Sequence, residues 1–317
     1  MQIDPTIFSP DAVSRETATF NEQLAQLLSA MPPITRVTPQ QVRDARRKGE
    51  GAFPPPVYSD MAEDRTIDGP AGPLRLRVFA GDRADGVFLH LHGGGWTVGA
   101  ADMQDPFLEA MAKDAGVVVV SVDYRLAPEH PYPAPNDDCE AAAVWLVERI
   151  VDEWGTDKLL VGGESAGAHL AVTTMLRMRD RHDYTGWAGA NLVYGAYDLS
   201  GTPSQLLWDR GYLVLDADTM AWFNDHYLGG TAADLRDPDV SPLYGRLDGL
   251  PPALFTVGTW DPLLDDTLFM ASRWAEHALD VDLAVYPGGV HAFDAFPISI
   301  AVEARSRMHA WIRDRVA

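Results

Sequence analysis

Gly163-Glu164-Ser165-Ala166-Gly167 sits between the apolar run Leu159-Leu160-Val161 and Ala168-His169-Leu170-Ala171-Val172, which can continue as a helix. A serine in G-x-S-x-G at a strand-to-helix junction is a nucleophile elbow. The flanking glycines let the chain turn sharply enough to present the hydroxyl at the C-terminal edge of a sheet. Five residues alone can match by chance. A serine nucleophile also needs donors for an oxyanion, a base and an acid, so the rest of the chain must supply these in a workable order.

Upstream, His92-Gly93-Gly94-Gly95-Trp96 follows the short apolar strand Val87–Leu91. Acyl transfer puts negative charge on the former carbonyl oxygen, and backbone N–H groups in a glycine-rich turn can hold it. One such donor is typically worth ~3–4 kcal/mol of barrier. Gly93 and Gly94, with the N–H of Ala166 after the serine, are the expected donors. His92 is read as a brace for this loop. The base should lie downstream of Ser165, because the order in such hydrolases is nucleophile, acid, base. Of the nine histidines, His291 is the one that follows the last expected strand on a glycine-containing loop, Tyr286-Pro287-Gly288-Gly289-Val290-His291. Asp261, the first carboxylate after the strand Ala253–Val257, ranks first as the acid. Asp198 ranks second and Asp265, which suits a helix start, third.

Taken in order, the chain opens with helical spacing of Leu24, Leu27, Leu28 and Met31, stopped by Pro32-Pro33. Thr38-Pro39-Gln40-Gln41 then resembles a new helix start. Arg65–Ile67 and Leu74–Phe79 read as a hairpin, and Val117–Val122 as a strand covered on both faces. Further strands are expected at Ala190–Tyr194, Ala253–Val257 and Val281–Tyr286, with helices near Asp137–Val151, after Ser165, at Thr267–Ala278 and at Ile300–Val316. Strands alternating with helices specify an α/β class with a mainly parallel, doubly wound sheet, the hairpin adding an antiparallel edge. Residues 1–55 form a helical arm before residues 56–317. Between Asp198 and Pro251 there is no good core strand, yet Trp208, Tyr212, Leu213, Trp222, Phe223 and Tyr227 cluster there. Residues 200–245 therefore read as an insertion above the C-terminal edge, with at least two of these side chains in a substrate pocket. Trp96, Trp208, Tyr212 and Leu213 are the candidate pocket residues.

Composition narrows the function classes. The formal charge of −21 argues against nucleic acid or anionic membrane as a partner. Only three of the 25 basic residues are lysines, which codon bias explains as simply as salt adaptation. No apolar run approaches the ~18 residues of a membrane span. Met1–Pro5 lacks the basic start and apolar stretch of a signal peptide. Cys139 is the single cysteine, so neither a disulfide nor a zinc-type cluster is expected. A cytoplasmic protein with no metal or organic cofactor is the expectation.

HGGGW at 92–96, GESAG at 163–167, DPLLDD at 261–266 and HAF at 291–293 together resemble the bacterial hormone-sensitive-lipase-like esterases of the α/β-hydrolase superfamily. DYRLAPEHP at 123–131 is similar to that family's segment after the fourth strand, where Asp123 and Arg125 are expected to hold loops. The resemblance covers roughly residues 60–317. It implies an α/β-hydrolase fold with a helical cap built from the N-terminal arm and the 200–245 insertion. It also implies Ser165, Asp261 and His291 as a catalytic triad, short- to medium-chain acyl esters as substrates, and allows a homodimer. Glu164 stands where the family usually has Asp or Thr, and Ala292 where it often has Gly. An amidase, formamidase or lactonase would use the same triad. The plant gibberellin receptor resembles this family as a ligand-binding protein, but lacks the histidine that this chain keeps at 291.

Overall fold

The computed structural model describes residues 3–277 and 280–317. Its centre is a sheet of β1 (Ala62–Gly69), β2 (Gly72–Phe79), β3 (Gly86–Leu91), β4 (Val117–Val122), β5 (Leu159–Glu164), β6 (Trp187–Val193), β7 (Ala253–Trp260) and β8 (Val281–Val290). The spatial order is β1-β2-β4-β3-β5-β6-β7-β8. The β1–β2 and β2–β4 pairings are antiparallel and the others parallel, so the expected hairpin forms one edge. β3 and β5, which lead to the two glycine motifs, are neighbours, with Leu91 opposite Gly163.

Helices cover both faces, which is why the central strands are apolar without alternation. On one face Leu89, Val120 and Val161 pack with residues of α4 (Ala134–Trp154), α5 (Ala166–His182) and α8 (Leu264–Ala275). On the other, Phe88, Val119 and Leu160 pack with α1 (Arg15–Ser29), α3 (Asp105–Ala115) and α9 (Ser299–Val316). The helix over Asp105–Ala115 was not among the sequence expectations. The expected helix 137–151 is longer at both ends, and β8 runs on from Tyr286 to Val290, past a register shift against β7 between Gly258 and Trp260. The expected helix end at Ala278 lies outside the described residues.

The N-terminal arm carries α1 and α2 (Pro39–Lys48). A capping box formed by Thr38 and Gln41 starts α2, and Gly49, at φ 70°, ends it. Leu24 and Leu28 are buried against the sheet face, whereas Leu27 of the same stripe faces solvent. Asn21 donates to the carbonyl of Gly288 at 2.8 Å, tying α1 to the end of β8. The insertion holds α6 (Pro203–Leu206) and α7 (Ala217–Leu228) and adds no strand to the sheet, as expected. The turn Ile34–Arg36 packs on α7, so arm and insertion meet. Buried Arg177 of α5 pairs with Asp137 and Glu140 of α4 and with Asp239 of the insertion, clamping all three. Removing one partner of such a buried network typically costs ~3–5 kcal/mol.

Candidate active site

β5 ends at Glu164, and the next residue turns the chain into α5 with φ 57° and ψ −118° at Ser165. This is strained for a non-glycine residue. The neighbours explain how it persists: a methyl group on Gly163 or Gly167 would overlap the carbonyl of Leu91, so only glycine lets β5 and α5 approach β3 this closely. The Ser165 N–H donates to the carbonyl of Val193 at 2.9 Å, and the hydroxyl projects from the N-terminus of α5. There the aligned peptide dipoles favour negative charge.

β7 delivers Asp261 and β8 delivers His291, each as the residue following the strand. His291 Nδ1 lies 2.9 Å from Asp261 Oδ2, and His291 Nε2 lies 2.9 Å from Ser165 Oγ. Asp261 and His291 are buried, and the other carboxylate oxygen of Asp261 accepts from the N–H of Leu263 at 2.9 Å. The two competing acids are occupied elsewhere. Asp198 accepts from the N–H of Ser200 and the Tyr244 hydroxyl, each at 2.9 Å, and Asp265 accepts from the N–H of Ser204 at 2.8 Å.

Gly94, Gly95 and Trp96 all have positive φ, so the loop after β3 curls back on itself. A methyl on Gly93 would sit 2.8 Å from the carbonyl oxygen of Glu164, which places this loop directly against the elbow. The N–H groups of Gly93, Gly94 and Ala166 have no acceptor among the described residues. His92 stacks on Tyr124 at 4.1 Å and its Nδ1 donates to the carbonyl of Gly93. Burial pushes its imidazole down to about 4, which keeps it neutral and suits a brace.

Glu164, the last residue of β5, lies at the cavity above Ser165 and contacts His90 of β3. Both its oxygens lie 3.2 Å from His90 Nε2, and His90 Nδ1 lies 2.9 Å from the Ser121 hydroxyl. Burial opposes the charge on Glu164, but His90 and the amide of Gln104 outweigh it and hold the carboxyl below its usual range. Two further contacts were not anticipated. Tyr194 sets its ring edge against His291 at 4.8 Å, and its hydroxyl donates to Asp294 at 2.5 Å. Tyr194 follows β6 and Asp294 lies in the short turn Phe293–Ala295 after β8, where no side-chain pattern marks either.

Residues 88–295 match a family model described as alpha/beta hydrolase fold. The carboxylic ester hydrolase LipN of Mycobacterium tuberculosis is 36% identical over 76% of this chain, which spans 66% of that relative's length. The carboxylesterase NlhH of the same species is 31% identical over 96% of each chain. The solved hyperthermophilic esterase of Pyrobaculum calidifontis superposes over the full length of both chains with a TM-score of 0.84 at 31% identity. The chain belongs to the hormone-sensitive-lipase-like esterases of the α/β-hydrolase superfamily.

In this esterase a cavity of about 450 Å³ opens above Ser165 and His291. Trp96 and Tyr212, two of the expected pocket residues, line it, as does Phe223 of the insertion. Trp208 and Leu213 do not, and correct the expectation. The Trp208 indole N–H donates to the carbonyl of Gly211 at 2.7 Å, while Leu213 is buried in the core and its neighbours Val214 and Leu215 face the cavity instead. An irregular loop has no period from which its inward side can be counted. Tyr227 is wholly buried behind Trp96, at 4.4 Å, and Trp222 packs at a tilt against His226. The arm contributes Met31, Val42 and Phe53. No helix among the described residues is long and apolar enough to cross a membrane.

Trp96 is pinned by His169 of α5. The indole N–H donates to His169 Nδ1 at 3.1 Å, and His169 Nε2 donates to the carbonyl of Val240 at 2.9 Å. Both ring nitrogens are thus committed to the neutral tautomer, and a second proton on Nδ1 would face the indole N–H. Burial pushes this imidazole down to about 4. An unfolded histidine protonates near 6.5, so between these values the unfolded chain binds a proton that the folded one refuses. Stability from this group is complete above pH 6.5 and is lost as the pH falls towards 4, by about 3 kcal/mol. His169→Gln should flatten the decline of melting temperature across that window. An unchanged slope would contradict this role.

Proposed function

We propose that this carboxylic ester hydrolase acts on short- to medium-chain acyl esters through an acyl-enzyme on Ser165. The reading is carried by one observation: Asp261, His291 and Ser165 form a continuous hydrogen-bonded chain with 2.9 Å at each step. In it, His291 takes the serine proton as Oγ attacks the ester carbonyl, and buried Asp261 orients the ring and stabilises the imidazolium. The tetrahedral oxyanion is held by the N–H groups of Gly93, Gly94 and Ala166. His291 then gives its proton to the departing alkoxide, and the alcohol leaves. A water molecule, deprotonated by His291, attacks the acyl-enzyme and releases the acid.

Residues 1–55 and 200–245 are assigned to a cap over this site; the contact of Ile34–Arg36 with α7 and the lining side chains from both segments support that assignment. A cap above the serine limits the chain length that fits. A series of p-nitrophenyl esters should give its highest kcat/KM below about ten acyl carbons. A maximum at palmitate would contradict the proposed substrate range.

A further inference from the structure

Helix α2 carries three arginines towards the rest of the molecule, and two of them are paired. Arg43 holds Glu129 and the carbonyls of Thr97 and Ala127, and Arg47 lies 3.6 Å from Asp102. Arg46, between them, lines the cavity above Ser165. It has neither an ion pair nor a side-chain hydrogen bond among the described residues. Its guanidinium lies over the Phe53 ring at 4.7 Å, and Phe53 in turn stacks on Phe296 at 5.4 Å. Burial pulls its pKa down, and Tyr212 across the cavity is the one nearby group that opposes this.

This is an anomaly in a chain with 46 acidic residues against 25 basic ones. The buried arginines among the described residues are neutralised, Arg77 by Asp64 and Asp105 and Arg177 by three carboxylates. Arg46 is only partly buried, and a cation in a cavity wall with no protein anion paired to it is open to an anionic ligand. With its guanidinium over Phe53 and no side-chain hydrogen bond among the described residues, Arg46 keeps N–H groups that can bind a carboxylate through two hydrogen bonds. Three carboxylates also line the cavity: Glu164 and Asp294, which are engaged by His90 and Tyr194, and Glu50, which follows α2.

We propose that Arg46 anchors a carboxylate carried by the substrate, so that the enzyme takes esters whose acid or alcohol half bears a second, free carboxylate. This rests on the esterase reading above. The test compares p-nitrophenyl butyrate with mono-p-nitrophenyl adipate, which carries the charge on the acyl half, and 4-(butyryloxy)benzoate, which carries it on the alcohol half. Arg46→Gln should lower the ratio of kcat/KM for one of the two anionic esters to that for the neutral ester by roughly tenfold or more. The change should fall mainly on KM, with Arg46→Lys recovering part of it. Because the neutral ester is measured on the same preparation, a folding defect cancels from the ratio. A ratio within about threefold of wild type for both anionic esters would overturn the proposal. So would a wild-type enzyme that cleaves the butyrate and neither anionic ester. A wild-type protein inactive on p-nitrophenyl butyrate would instead strike at the esterase reading itself.

Discussion

Ser165→Ala is expected to lower ester turnover by about 10⁶ while leaving the fold unchanged, the scale found when subtilisin loses its serine or histidine. The expectation of an intact fold has a local basis. The Ser165 side chain bonds to His291 Nε2 alone, whereas the turn is held by its backbone N–H to Val193 and by the glycines on either side. Alanine fits the same φ of 57° no worse than serine does. Turnover of p-nitrophenyl butyrate, measured beside circular dichroism and thermal melting, checks both halves. Activity above a trace in a folded Ser165→Ala variant would remove Ser165 from the mechanism.

Asp261→Asn should be nearly as damaging, at about 10⁴ in kcat, for a reason of proton placement rather than charge alone. Asp261 Oδ1 accepts from the Leu263 N–H, so asparagine would keep its carbonyl oxygen there and turn its amide NH₂ towards His291. An N–H facing Nδ1 forces the ring proton onto Nε2, and Nε2 can then no longer accept from Ser165. The variant should fold, since volume and the Leu263 contact are kept. Steady-state kinetics at neutral pH test this: a loss under about tenfold would mean that Asp261 does not set the tautomer.

The proposed triad was legible in the sequence because each member sits at the end of a strand. The apolar runs before Ser165, Asp261 and His291 announce those strands, and in a parallel sheet their C-terminal ends converge on one edge. Gly93 and Gly94 were legible for the same reason, as a turn requiring glycine after β3. The cavity wall was not. Phe223 and Trp222 are adjacent in the sequence, yet only Phe223 lines the cavity, a difference of helix rotation that depends on what α7 packs against. Arg46 lies on a polar helix with exposed neighbours, and its place in the same cavity wall as Tyr212, 166 residues away, is one that no local pattern encodes. The helix over Asp105–Ala115 did carry a signal, with Leu108, Met111, Ala112 and Ala115 at helical spacing. Glu164 could be marked as a departure in the motif, but its pairing with His90 needed the β3–β5 register.

The central claim is that Ser165 is the nucleophile, activated by His291. Intact-mass measurement after incubation with a fluorophosphonate, followed by peptide mapping, tests it most directly. One adduct per chain, on the peptide containing Ser165 and absent from Ser165→Ala, is expected. A folded, ester-hydrolysing protein that takes up no label, or carries it on another residue, would contradict the mechanism.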